Sequence, residues 1–130
     1  MLNLIMRQLE RSLHIQVCDY IRLRYPDVIF RTDVADLKLT MAQAARLKRM
    51  QGGRRAYPDL FLAEPRGGYA GLFIELKATS IYKQDGSLRK NPHVEEQAKM
   101  LSALAQRGYK AVFAVGFTEA QAVIDEYMVL

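Results

Sequence analysis

An α/β fold, with helices packed on a mixed central sheet, is what this sequence predicts, and three patterns carry the expectation. Apolar residues recur at helical spacing in several segments, apolar runs of strand length lie between them, and turn residues separate the two kinds. The elements read in order as helix, strand, helix, strand, strand, helix, strand, helix. They occupy 130 residues, which suits one compact domain over positions 1–130.

The first predicted helix runs from about Leu4 to Arg24. Leu9, Leu13, Val17 and Ile21 recur every fourth position, Ile5 stands one step before them, and no proline or glycine intervenes. Tyr25-Pro26-Asp27 ends it, because a residue before proline avoids the helical region. Val28-Ile29-Phe30 follows as a short strand. Thr40 can cap a second helix running to about Met50, which Gly52-Gly53 stops. Leu60–Ala63 and Gly71–Ala78 read as two strands of a hairpin turning through Glu64-Pro65-Arg66-Gly67-Gly68. A polar loop covers Ser80 to Asn91, and Pro92 suits the first turn of a third helix. Val94, Ala98, Leu101 and Ala105 give that helix its apolar face, and Gly108 closes it. Ala111–Val115 is a further strand, and Thr118 with Gln121 makes a capping box for the last helix. No internal repeat, low-complexity tract or linker interrupts the series.

Half of the residues are apolar, enough for a real core, and no apolar run is long enough to span a membrane. Met1 to Met6 lacks the apolar region and cleavage site of a signal peptide. Cys18 is the sole cysteine, which excludes an intrachain disulfide and a cysteine metal cluster. A cytoplasmic, intracellular home is the expectation. The net charge of +5 is unevenly spread. Arg46, Lys48, Arg49, Arg54 and Arg55 form a stretch without acidic residues; Lys83, Arg89, Lys90 and His93 form a second, broken only by Asp85. The C-terminal end carries Glu119, Asp125 and Glu126 instead. One-sided basicity suits a polyanion such as nucleic acid, and an ordinary solvated face fits it equally well.

The chemistry-bearing residues gather around the hairpin. Alternation puts Phe73, Glu75 and Lys77 on one face of their strand, with Leu72, Ile74 and Leu76 on the other. A bend centred on Gly67 sets Asp59 opposite Glu75, with Cβ atoms roughly 5 Å apart. Two carboxylates that close repel unless a cation sits between them, so they form a natural oxygen-ligand pair for a hard ion such as Mg²⁺. Lys77, about 7 Å along the same side, could stabilise negative charge developing on a phosphate under attack. Metal-assisted phosphodiester hydrolysis needs these parts. By itself Glu-x-Lys is weak, since about half of chains this long contain one by chance.

Three further residues bear on the same site. Gln97 lies on the otherwise apolar stripe of the third helix, where a polar site beneath it or a satisfied core glutamine would each account for it. Glu10 and His14, four apart on the first helix, share a face. Glu10 fits a third carboxylate for the ion or a solvated helix residue, and His14 is read as a packing or hydrogen-bonding residue. Gly52-Gly53 and Gly67-Gly68 lack the Lys-Ser/Thr ending of a phosphate-binding loop, which disfavours nucleotide hydrolysis.

Taken together, Pro58-Asp59-Leu60, Leu72-Phe73-Ile74-Glu75-Leu76-Lys77 and Glu96-Gln97 resemble the motifs of the VRR-NUC (virus-type replication-repair nuclease) group of the PD-(D/E)XK nuclease superfamily. Gly108-Tyr109-Lys110-Ala111 and the closing helix also fit, so the resemblance covers nearly the whole chain. It is nearest to the short, single-domain phage and bacterial members. The resemblance implies a restriction-endonuclease-like core, with Asp59 and Glu75 binding Mg²⁺ or Mn²⁺ and the Leu76 carbonyl as a further ligand. It implies Lys77 as the catalytic lysine and Gln97 as a site-organising residue. The family's first-helix glutamate is matched by Glu10, the only acidic residue before Asp19. Short members are similar to Holliday-junction resolvases, which implies a homodimer acting on branched DNA. The basic stretches (Arg46, Lys48, Arg49, Arg54, Arg55, then Lys83, Arg89, Lys90) would flank the cleavage site. There they could hold phosphates, giving salt-sensitive binding that reads shape rather than base sequence.

Overall fold

The computed structural model describes residues 2–33, 38–52 and 54–130. Its helices are α1 (Leu2–Arg24), α2 (Met41–Met50), α3 (Pro92–Ala105) and α4 (Gly116–Met128). Its strands are β1 (Phe30–Thr32), β2 (Leu60–Leu62), β3 (Leu72–Lys77) and β4 (Lys110–Val115). The sheet runs in the order β1-β2-β3-β4; β1, β2 and β3 pair antiparallel, while β4 joins β3 in parallel through the α3 crossover. The sheet is therefore mixed, as expected.

The hairpin register follows from its turn. Gly67 and Gly68 both take positive φ, 58° and 87°, and Arg66 and Tyr69 exchange backbone hydrogen bonds across them. That two-residue turn matches the twist of the flanking strands. It pairs Leu60 with Ile74 and Leu62 with Leu72, the register that sets position 59 opposite 75.

One face of the sheet carries Leu60, Leu62, Leu72, Ile74 and Leu76, which join Leu13, Val17 and Ile21 of α1 and Ala120, Ile124 and Tyr127 of α4 in one core cluster. Tyr20 and Tyr25 donate to the same oxygen of Asp125, each at 2.6 Å, and so tie the end of α1 to α4. On the opposite face Phe73 stacks on Phe61, and Val94, Met100 and Leu101 of α3 are buried. Helices thus flank the sheet on both faces.

Several boundaries differ from the sequence reading, each for a local reason. The first strand begins at Phe30 rather than Val28, because Val28 N–H closes a turn onto the Tyr25 carbonyl. The capping box of the last helix does not form: α4 starts at Gly116, whose φ of 81° turns the chain out of β4, and Thr118 lies inside its first turn. A capping box does form at α2, between Thr40 and Gln43. The apolar stripe of α1 is only half used. Leu13, Val17 and Ile21 are buried, whereas Leu9 is 49% exposed and Ile5 is also exposed, because this end of α1 extends beyond the core cluster. In α3, Met100 is buried and Ala105 exposed, so the stripe turns slightly from the expected one. Gly53, half of the predicted stop after α2, lies outside the described residues, as does Met1. Among the described residues no helix is long and apolar enough to cross a membrane.

Candidate active site

Pro58 is fully buried and delivers the chain to β2 with Asp59 at its mouth. Asp33 N–H donates to the Asp59 carbonyl at 2.8 Å, extending the β1–β2 pairing by one step. Asp59 and Glu75 are then latched together twice. Asp59 N–H donates to Glu75 Oε2 at 3.2 Å, and Leu76 N–H donates to Asp59 Oδ2 at 2.8 Å. These bonds hold two carboxyls side by side despite their repulsion.

Glu75 is only 5% exposed, and its second oxygen, Oε1, accepts from Gln97 Nε2 at 2.7 Å. Gln97 reaches it because α3 is capped and oriented from its first turn. The Asn91 side chain accepts from His93 N–H and Val94 N–H, Pro92 occupies the first turn, and Val94, Met100 and Leu101 anchor the same stripe. The amide is thus a hydrogen-bonded polar group beneath a helix. Lys77 is buried on the same strand, two residues on.

The electrostatics of this cluster disfavour two bare negative charges. Burial pushes the Glu75 carboxyl well above the ordinary carboxylate range, and the Asp59 charge pushes it further; Lys77 only partly opposes them. A divalent cation between the two carboxyls would remove both penalties, so the donor set present fits such an ion. Asp59 and Glu75 would hold it, with the Leu76 main chain within the same segment.

The site straddles the sheet. On the α1 side an open cavity of about 650 Å³ is lined by Asp59, Leu76, Asp33, Glu10 and His14. Glu75, Lys77 and Gln97 do not line this cavity; Gln97 approaches Glu75 from α3. Glu10 therefore shares a cavity with Asp59, yet no three His, Cys, Asp or Glu side chains among the described residues converge as a ready metal cage. His14 also lines the cavity, and its Nε2 is buried without a hydrogen-bond partner.

Arg7, Arg11 and Lys38 also line the cavity, and none of them stood among the predicted binding residues. Their signal was present in the sequence for the α1 pair, since positions 7, 10, 11 and 14 share one helical face. The eight predicted phosphate-binding residues lie elsewhere. Arg46, Lys48, Arg49, Arg54, Arg55, Lys83, Arg89 and Lys90 are all exposed, and none lines the cavity. His93 is a further addition, 3.2 Å from Gln97 Nε2.

No protein-family model and no curated protein matches the chain. Among solved structures it is similar to one described as "VRR_NUC domain protein", at 26% identity and a TM-score of 0.62. The likeness covers 92% of this chain and 88% of that one. The VRR-NUC fold generally implies use of a divalent metal. The mixed sheet, the latched carboxylates and this likeness together support a VRR-NUC domain, a nuclease-type domain on a PD-(D/E)XK-like core.

Proposed function

We propose that the protein is a Mg²⁺- or Mn²⁺-dependent, structure-selective DNA endonuclease that hydrolyses phosphodiester bonds in four-way junctions as a homodimer. The observation that carries the reading is the latched pair of Asp59 and Glu75 with Lys77 buried two residues on. The bound ion would supply Lewis acidity and lower the pKa of water. The chain's own residues do the rest. Asp59 and Glu75 present oxygen donors held by backbone N–H groups, and Gln97 orients Glu75. Lys77 places a positive charge where a phosphate under attack accumulates negative charge. Glu10, which lines the same cavity as Asp59, would contribute a further carboxylate on the approach to the ion.

Arg7, Arg11 and Lys38 at the cavity wall suit phosphates next to the cleaved bond, and the eight exposed basic residues suit phosphates further out. Dimerisation is supported by two features. A four-way junction is two-fold related, as an isologous dimer is, and the free end of α1 exposes Leu4, Ile5 and Leu9.

The test is cleavage of a labelled four-way junction, a flap and a linear duplex in Mg²⁺, Mn²⁺ or EDTA by wild type and Lys77→Ala. Paired symmetric cuts in the junction alone, abolished by EDTA and by the substitution, are expected. Cutting of flap or duplex instead would keep the active site and discard the junction. Inert, well-folded wild type in both metals would leave a nucleic-acid-binding module.

A further inference from the structure

Gln97 is placed by what surrounds its amide. Its Nε2 donates to Glu75 Oε1 at 2.7 Å and lies 3.2 Å from His93 Nε2, whose role as donor or acceptor depends on its tautomer. Its Oε1 is buried and has no partner among the described residues. An amide can turn over by exchanging O and N with almost no change of shape, so its orientation is decided only by what its neighbours donate or accept. Oε1, with no protein partner among the described residues, does not decide between the two. Glu75 Oε1 accepts, whether the carboxyl pair is fully ionised or shares one proton on the side facing Asp59. That leaves His93 as the second group able to distinguish the two orientations.

We propose that His93 is a positioning residue for the metal-binding carboxylate. Its Nε2 lone pair accepts from Gln97 and thereby reinforces the orientation in which the amide presents N–H, rather than C=O, to Glu75. In that arrangement the ring N–H is on Nδ1. The placement suits the role. His93 stands four residues before Gln97, one turn up the same face of α3, and Asn91 fixes its backbone by accepting from His93 N–H at 2.9 Å. The imidazole is exposed while Gln97 is 6% exposed. A surface residue at the end of the basic Lys83–Lys90 segment thus reaches the buried carboxylate through one amide. Without His93, Glu75 alone holds the amide, and the donor to its carboxylate is less firmly placed.

This inference rests on the reading of Asp59 and Glu75 as the divalent-ion pair, and its test separates the two. Mn²⁺ affinity is titrated for wild type, His93→Ala and His93→Gln, the last restoring a side-chain acceptor at similar reach. Outer-shell partners of metal ligands are worth about 10–100-fold in affinity. His93→Ala should therefore bind Mn²⁺ about tenfold more weakly, His93→Gln within about threefold of wild type, with kcat lowered and the KM for DNA unchanged in the alanine variant. In Mg²⁺-loaded protein at neutral pH or above, ¹⁵N spectra of the two histidines should show His93 as the Nδ1–H tautomer, and Gln97→Leu should abolish that preference. A His93 carrying its proton on Nε2, or equal Mn²⁺ affinity in all three proteins, or equal loss in both variants, overturns the proposal alone. Failure of wild type to bind Mn²⁺ overturns the ion-pair reading beneath it as well.

Discussion

α2 and α3 are both short helices with well-formed N-terminal caps, Thr40 with Gln43 in one and Asn91 with Pro92 in the other. α3 buries four side chains against the sheet and sets Gln97 on Glu75. α2 buries none: Met41 is 92% exposed, Met50 is 71% exposed, and its last turn carries Lys48 and Arg49. Caps and propensity are enough to define a helix, but only an apolar stripe with a surface to cover gives it a place. On the proposed function, α3 belongs to the chemistry and α2 to the approach of a polyanion.

The sharpest way to break that division is to strike the cluster that α3 serves. Asp59→Ala or Lys77→Ala should lower kcat by about 10²–10³-fold or more, the scale for losing one preorganised charged group. DNA affinity measured in Ca²⁺ should stay near wild type. Comparable loss of binding would show that the cluster anchors DNA rather than cleaving it. The opposite pattern is expected at α2. Replacing Arg46, Lys48 and Arg49 together by Gln should reduce the slope of log affinity against log salt by about 2–3, at roughly 0.9 per lost phosphate contact. The cleavage rate at saturating DNA should hold. An unchanged slope would return α2 to an ordinary solvated face.

Stability should divide in the same way. Met100→Ala removes a buried α3 side chain and should cost about 2–5 kcal/mol in urea unfolding, whereas Met41→Ala should stay within about 0.5 kcal/mol. Equal costs would mean that α2 packs in solution. The pH dependence follows from Glu75. Its folded-state pKa lies above its unfolded one, so the folded protein holds the proton longer. Without metal, stability should fall as pH rises beyond about 4.5, the ordinary value for the group. Mg²⁺ should offset the decline, and Glu75→Gln should flatten it. A metal-free stability that rises over that window would contradict the buried carboxyl pair. The smallest effect compares the caps themselves. Asn91→Ala should cost about 1 kcal/mol of global stability, while Thr40→Ala should only speed amide exchange within α2.

Much of the architecture was legible because it is encoded in periods and turns. Gly67-Gly68 set the hairpin register, alternation along β3 put Leu72, Ile74 and Leu76 in the core, and Gln97 on an apolar stripe marked a polar site beneath α3. The errors came where a neighbour overrode the local signal, as at Val28 and Thr118. Local chemistry thus determined the mixed α/β class, the elements and the pairing of Asp59 with Glu75, since these depend on spacings of a few residues along one chain segment. Only the tertiary structure decided that Arg7, Arg11 and Lys38 line one cavity with Asp59, that the outer half of α1 stays uncovered, and that the His93 ring lies beside the Gln97 amide. Those arrangements depend on where helices sit against the sheet, and a periodic pattern shows which face is apolar without showing what lies across from the polar one.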